Sequence, residues 1–166
     1  MKHLPKHIRP RWRYLAVGIE TWPDAEIDRG EFQRAVWYAS QNLLGDPGSA
    51  DADLSVVRFS FADGAGEAIV RVRRGEVSAG RAALACLTEI DGQSVGLRVR
   101  GVSGTIRACE ESYLGRDGGV RDVRDVDFRS ETRSASLRED TADVSTDTGF
   151  LGTTTAEITT ADATDN

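Results

Sequence analysis

The residues whose types and spacing could do chemistry are mostly arginines, together with one short Ser103-Gly104-Thr105 segment followed by Arg107. No His, Asp and Glu share a spacing suited to a metal, and no Ser or Cys stands beside a candidate base. His3 and His7 lie four apart, but they sit in a basic, proline-bounded arm without a third ligand nearby. The chemistry on offer is therefore anion recognition. Guanidinium forks pair with phosphate oxygens bidentately, and a helix start presents free N–H groups and the positive end of its dipole. Gly104 permits close backbone approach, Ser103 and Thr105 offer hydroxyls, and Arg107 adds charge.

Alternating and helical periods predict the elements that carry these groups. Residues 11–20 alternate, with Leu15, Val17 and Ile19 on one face and Trp12, Tyr14, Ala16 and Gly18 on the other, as a strand does. Asp28 with Glu31 makes an acidic capping box, and Phe32, Val36, Ala39 and Leu43 then recur at helical spacing until Gly45, so 28–44 reads as a helix. Residues 54–61 and 67–74 read as a hairpin around Ala62-Asp63-Gly64-Ala65-Gly66. Residues 76–90 return to helical period, 94–102 alternate again, and Ser103 stands where it could cap a short amphipathic helix over about 105–114.

Strand, helix, strand, strand, helix, strand, helix is the ferredoxin-like, split βαβ order. It is an α+β fold with a four-stranded antiparallel sheet, two helices on one face and a short C-terminal helix. If Leu15, Val17, Ile19, Val57, Phe59, Phe61, Val70, Val72, Val95, Leu97 and Val99 face the helices, period two sends Arg58, Arg71, Arg73, Arg98 and Arg100 to the open face with Trp12 and Tyr14. Small Ala16 and Gly18 beside them would let a partner element approach closely. The N-terminal arm carries Lys2, Lys6, Arg9, Arg11 and Arg13 and no acid, and Pro5 and Pro10 bias it toward an extended path. These cations can follow a phosphate backbone. A solvated sheet face, an arm covering a sheet edge and an ordinary N-cap would use the same residues without RNA.

Charge is unevenly divided. Residues 1–114 hold 15 basic and 15 acidic side chains, whereas 115–166 hold 6 and 12, so the net charge of −6 lies in the C-terminal third. That region is rich in Thr, Asp and Ala; it reads as a linker over 115–130 and a disordered tail over 131–166. Two lysines among 21 basic residues, and an excess of Asp over Glu, suggest adaptation to high internal salt. Cys86 and Cys109 read as buried, unbridged thiols in helices. No apolar run approaches a membrane span or a secretory signal, so a cytoplasmic protein without membrane contact is expected.

Three stretches carry a family resemblance: Lys2-His3-Leu4-Pro5 through Arg9-Pro10-Arg11-Trp12-Arg13-Tyr14, the run Gly66 to Arg74, and Gly101-Val102-Ser103-Gly104-Thr105-Ile106-Arg107. Together they resemble the archaeal ribonuclease P protein component 2 family, counterpart of the eukaryotic Pop-five subunit. The resemblance covers about residues 1–114. It implies an RNA-recognition-like fold from a halophilic archaeon that assists a catalytic RNA in removing the 5′ leader of precursor tRNA. The chain would be non-catalytic within an endoribonuclease that leaves a 5′-phosphomonoester. It would bind no cofactor, with Mg2+ held on the RNA. Its partners would be ribonuclease P RNA, a second protein subunit and, in the assembled particle, precursor tRNA. The third strand offers Ile69, Arg71 and Arg73 where RNA-recognition motifs carry stacking aromatics, which points to phosphate pairing or to a protein partner. A protein-binding scaffold without RNA is the alternative. An acylphosphatase-like enzyme is disfavoured, because Thr21-Trp22-Pro23-Asp24 lacks the arginine of that family's phosphate loop.

Overall fold

Leu15, Val17 and Ile19 point into the principal core from β1 (Trp12–Glu20), the strand that holds the sheet together. The computed structural model describes residues 5–115, 122–138 and 140–160. The chain divides into two units, Met1–Gly115 and Arg116–Asn166.

In the first unit β1 is followed by α1 (Arg29–Ala52), β2 (Ser55–Ala62), β3 (Ala65–Arg73), α2 (Val77–Ala85), a small hairpin of β4 (Glu89–Ile90) and β5 (Gln93–Ser94), β6 (Gly96–Ser103) and α3 (Ile106–Tyr113). The four long strands pair antiparallel in the order β2-β3-β1-β6, the expected ferredoxin-like sheet. The capping box at α1 is present. Asp28 Oδ1 accepts from Glu31 N and Glu31 Oε2 accepts from Asp28 N, each at 2.8 Å.

Several boundaries differ from expectation for local reasons. Gly45 does break α1 (φ 68°, ψ 175°), but a second helical segment restarts with Pro47 in its first turn and runs to Ala52. The β2–β3 loop is only Asp63-Gly64, with φ of 52° and 69°, because Ala62 already pairs with Ala65. The helix expected over 76–90 stops at Ala85, and Asp91-Gly92 (φ 47° and 78°) closes the β4–β5 hairpin that buries Ile90. Cys86, just past that helix end, is exposed rather than buried.

Val57 was expected toward the helices and lies on the opposite face. Register shifts between Val56 and Arg58, so Val56 fills the principal core while Val57 joins a second cluster with Tyr14, Ala16, Ile69, Ile106, Cys109, Tyr113 and Leu114. That second cluster is α3 packed on the sheet face expected to be open. Residues Leu15 to Ile19 are consequently buried on both sides.

The second unit overturns the expectation of a linker and disordered tail. Strands β7 (Asp122–Phe128), β8 (Glu131–Arg138), β9 (Thr141–Thr146), β10 (Gly149–Thr154) and β11 (Thr159–Thr160) form a sheet in the order β10-β9-β8-β7-β11. Its core is Val126, Phe128, Ala135 and Val144, with Leu137 and Ile158 packed against it. Short apolar residues alternating with Thr, Ser and Asp suffice because the core forms on one face of the sheet; at β8 the opposite face is covered as well, with Ser136 buried beside Ala135. Residues 116–121, 139 and 161–166 lie outside the described residues.

Candidate nucleic-acid interface

Antiparallel pairing places the start of β1 beside the ends of β3 and β6. Trp12 pairs with Arg73, Tyr14 with Arg71, and Tyr14 with Ser103. One end of the sheet therefore gathers Trp12, Arg13, Arg71, Arg73, Ser103, Gly104 and Thr105, which lie up to ninety residues apart in the chain.

Trp12 organises the cations there. The Arg71 guanidinium lies 3.9 Å from its ring centroid and that of Arg73 5.0 Å, so the indole is used for cation–π contact. Arg73 also reaches Asp53 at 3.4 Å, and Asp53 holds a left-handed conformation as the cap of α1. Among the described residues no carboxylate pairs with Arg71. Arg13 donates to the Trp12 carbonyl at 3.1 Å and lies close to Gly104, where an added Cβ would be 3.7 Å from its Nη1.

The arm joins the same end. Arg74 N donates to the Arg11 carbonyl at 2.9 Å, fixing the arm's last turn against the end of β3. Lys6, Arg9 and Arg11 are exposed. The arm is not simply extended, because Ile8 N donates to the Pro5 carbonyl at 3.0 Å and closes a turn. Lys2 and His3 lie outside the described residues.

At the start of α3 the cap is Thr105, not Ser103. The Thr105 hydroxyl accepts from Ala108 N at 3.2 Å, while Ser103 is the last residue of β6. Arg107 is exposed and pairs with Glu111 at 2.7 Å, one turn along the helix.

The other sheet arginines have structural partners. Arg58 pairs with Glu110 on α3. Arg100 lies across Gly18, where an added Cβ would be 2.9 Å from its Nε, and pairs with Glu67. Glu67 also accepts from Gly115 N at 3.0 and 3.1 Å, so one carboxylate ties β6, β3 and the end of α3 together. The close approach expected at Ala16 and Gly18 is thus made by α3 and Arg100 of this same chain. Arg98 is exposed and pairs in register with Gly18, away from the cluster around Trp12.

Sequence reading missed Asp53, Glu67, Glu110 and the packing of α3. The signal for α3 was present in Ile106, Cys109 and Tyr113 at helical spacing, an apolar stripe that needs a surface to cover. Cys109 is buried, its thiol 3.6 Å from the Tyr14 carbonyl; burial and then the nearby Glu110 push its pKa up to about 11. Among the described residues no group of three or more His, Cys, Asp or Glu is placed to hold a metal ion.

Residues 13–114 match the Rpp14/Pop5 family model. A protein of Halorubrum lacusprofundi named ribonuclease P protein component 2 is 62% identical over 152 residues, covering 92% of this chain and 96% of its own. One of the same name from Haloarcula marismortui is 55% identical over 95% of this chain and 99% of its own. The Thermococcus kodakarensis protein of that name is 38% identical over 117 residues, which make up 94% of its length but 70% of this chain. A chain in the cryo-EM structure of yeast ribonuclease MRP superposes with a TM-score of 0.45 at 15% identity, covering 58% of this chain and 76% of that one.

Proposed function

The chain belongs to the Rpp14/Pop5 family, and on that premise we propose that its role as a ribonuclease P subunit is carried by the cationic end of the Met1–Gly115 sheet, which pairs with RNA phosphates. The observation that carries this reading is the register of β1 with β3 and β6. It sets Arg71 and Arg73 on the Trp12 ring and brings Arg11, Arg13 and the Gly104-Thr105 helix start to the same end of the sheet, while Arg58 and Arg100 are committed to Glu110 and Glu67.

In this reading the chain binds and orients. Cleavage of the precursor-tRNA leader, leaving a 5′-phosphomonoester, is chemistry of the catalytic RNA and its Mg2+. Lys6, Arg9 and Arg11 follow the backbone away from the sheet, and a second protein subunit accompanies this one in the particle, in the cytoplasm. Arginine suits such contacts in concentrated salt. At 1 M the Debye length is about 3 Å, so short bidentate hydrogen bonds outweigh long-range attraction.

Reconstitution tests the reading. Ribonuclease P RNA with its full set of proteins should process precursor tRNA less well when this chain is omitted or carries Arg71→Ala with Arg73→Ala. The double variant should also flatten the salt dependence of RNA binding, by a slope of about 2 if each arginine meets one phosphate. Equal cleavage with and without the chain would refute the role. A stable complex that resists ribonuclease and contains no RNA would identify a protein-only module instead.

A further inference from the structure

The middle of the sheet face opposite the principal core is closed to ligands, because Ile106, Cys109 and Tyr113 of α3 pack there on Tyr14, Ala16 and Ile69. What remains flat and reachable is the end of the sheet at Trp12. That ring is half-buried and carries the Arg71 guanidinium 3.9 Å from its centroid. A guanidinium offers two faces and a rim of N–H donors. For Arg71, Trp12 takes one face, and Nε is buried without a hydrogen-bond partner. The side chain is still only half-buried, and among the described residues no carboxylate claims it. Its remaining exposure therefore belongs to the second face and the terminal nitrogens.

We infer that Arg71 on Trp12 is a stacking platform for one unpaired RNA base, which lies on the outer face of the guanidinium while the terminal nitrogens keep their phosphate contact. This rests on the RNA role proposed above and adds a nucleobase to a site that otherwise meets only the backbone. The indole holds the guanidinium flat in advance, so little rotamer freedom is lost when a base arrives. A planar cation attracts the π-face of a base as it attracts that of the indole. Arg73 lies farther from the ring, at 5.0 Å, and is tied to Asp53, which leaves Arg71 as the platform. Bases inside a duplex are already stacked on their neighbours, so the site selects single-stranded or looped RNA.

Stacking also suits the composition of the chain. Phosphate pairing loses its counterion-release gain as salt rises, whereas contact between two flat groups does not draw on that gain. Lysine, which has no flat face to offer, makes up only two of the 21 basic residues.

Binding of fluorescently labelled RNA octamers to the full chain in molar KCl tests the inference, with a mixed-sequence single strand set against the same ribose-phosphate backbone carrying no bases. The native chain should bind the base-bearing strand about tenfold more tightly, the worth of one stacked base. Trp12→Leu and Arg71→Lys should each bring that ratio down to about one, the first by removing the support of the guanidinium, the second by keeping the charge without the flat face. Trp12→Phe should keep most of the advantage. The ratio is read within each variant, so a general loss of stability does not imitate the result, and Arg71→Lys keeps the test decisive if Trp12→Leu misfolds. Equal binding of the two strands by the native chain, a ratio untouched by Arg71→Lys, or no binding of either strand would overturn the platform. Precursor cleavage by the reconstituted particle separates the two claims. If cleavage falls with Arg71→Ala and Arg73→Ala while the octamers bind equally, the phosphate contacts stand and the platform alone fails.

Discussion

Replacing Arg100 by Ala separates the arginines that build this protein from those proposed to bind RNA. The Arg100 side chain is 14% exposed and its partner Glu67 22%. Removing one member of a fully buried ion pair costs about 3–5 kcal/mol, because the other charge is stranded. Glu67 would keep the Gly115 N–H and some water, which lowers the expected cost to about 2 kcal/mol. Gly18 would lose its cover as well. In a unit of this size about 2 kcal/mol corresponds to a fall of roughly 10 °C in Tm. Arg71→Ala, in contrast, removes a partly exposed cation–π contact of about 0.5–1 kcal/mol and should hardly move the midpoint. Thermal unfolding followed by circular dichroism at fixed KCl, alongside RNA binding at the same salt, gives both readouts. Arg100→Ala should lose stability and retain RNA affinity below its midpoint; Arg71→Ala should do the reverse. If Arg100→Ala unfolds at the native midpoint and binds RNA as weakly as Arg71→Ala, the division of roles is wrong.

Further outcomes follow from the packing of α3 and from the two thiols. A methyl group on Gly101 would overlap the Tyr113 ring, so Gly101→Ala should cost about 1–3 kcal/mol and speed hydrogen exchange of the α3 amides ahead of those in β1. The Cys109 thiol, raised to about 11 when folded, binds its proton more tightly than in the unfolded chain. Its contribution to stability is therefore complete below the unfolded thiol's pKa and is lost as pH climbs from there toward 11. Cys109→Ser should change the slope of stability against pH in that alkaline window and leave it alone near neutrality. At neutral pH an alkylating reagent should modify exposed Cys86 and spare Cys109.

Much of the first unit was legible because its signals are local. The capping box at Asp28 and Glu31, the Asp63-Gly64 turn and the alternation of Leu15, Val17 and Ile19 each depend on neighbours a few residues away. The errors lie where a nonlocal partner decides. Val57 turned away from the principal core because a bulge opposite Ile69 let Val56 take its place. The cap passed from Ser103 to Thr105 because β6 keeps Ser103 paired with Tyr14. The second unit was hidden because its apolar residues are small and sparse; only five strands in register make a core from Val126, Ala135 and Val144.

The sequence alone determined the order of the long elements of the first unit, the cationic arm, the absence of stacking aromatics on the third strand and the family that the residues around Pro10 and Ser103 resemble. These rest on residue type and spacing, which the chain carries wherever it folds. The tertiary structure decided which arginines remain available. Arg58, Arg71 and Arg100 are alike in type and in strand parity. Glu110 and Glu67 claim the first and last, and Trp12 presents the other. That distinction depends on side chains tens of residues apart meeting within a few ångströms, where the interaction of charges and rings is decided.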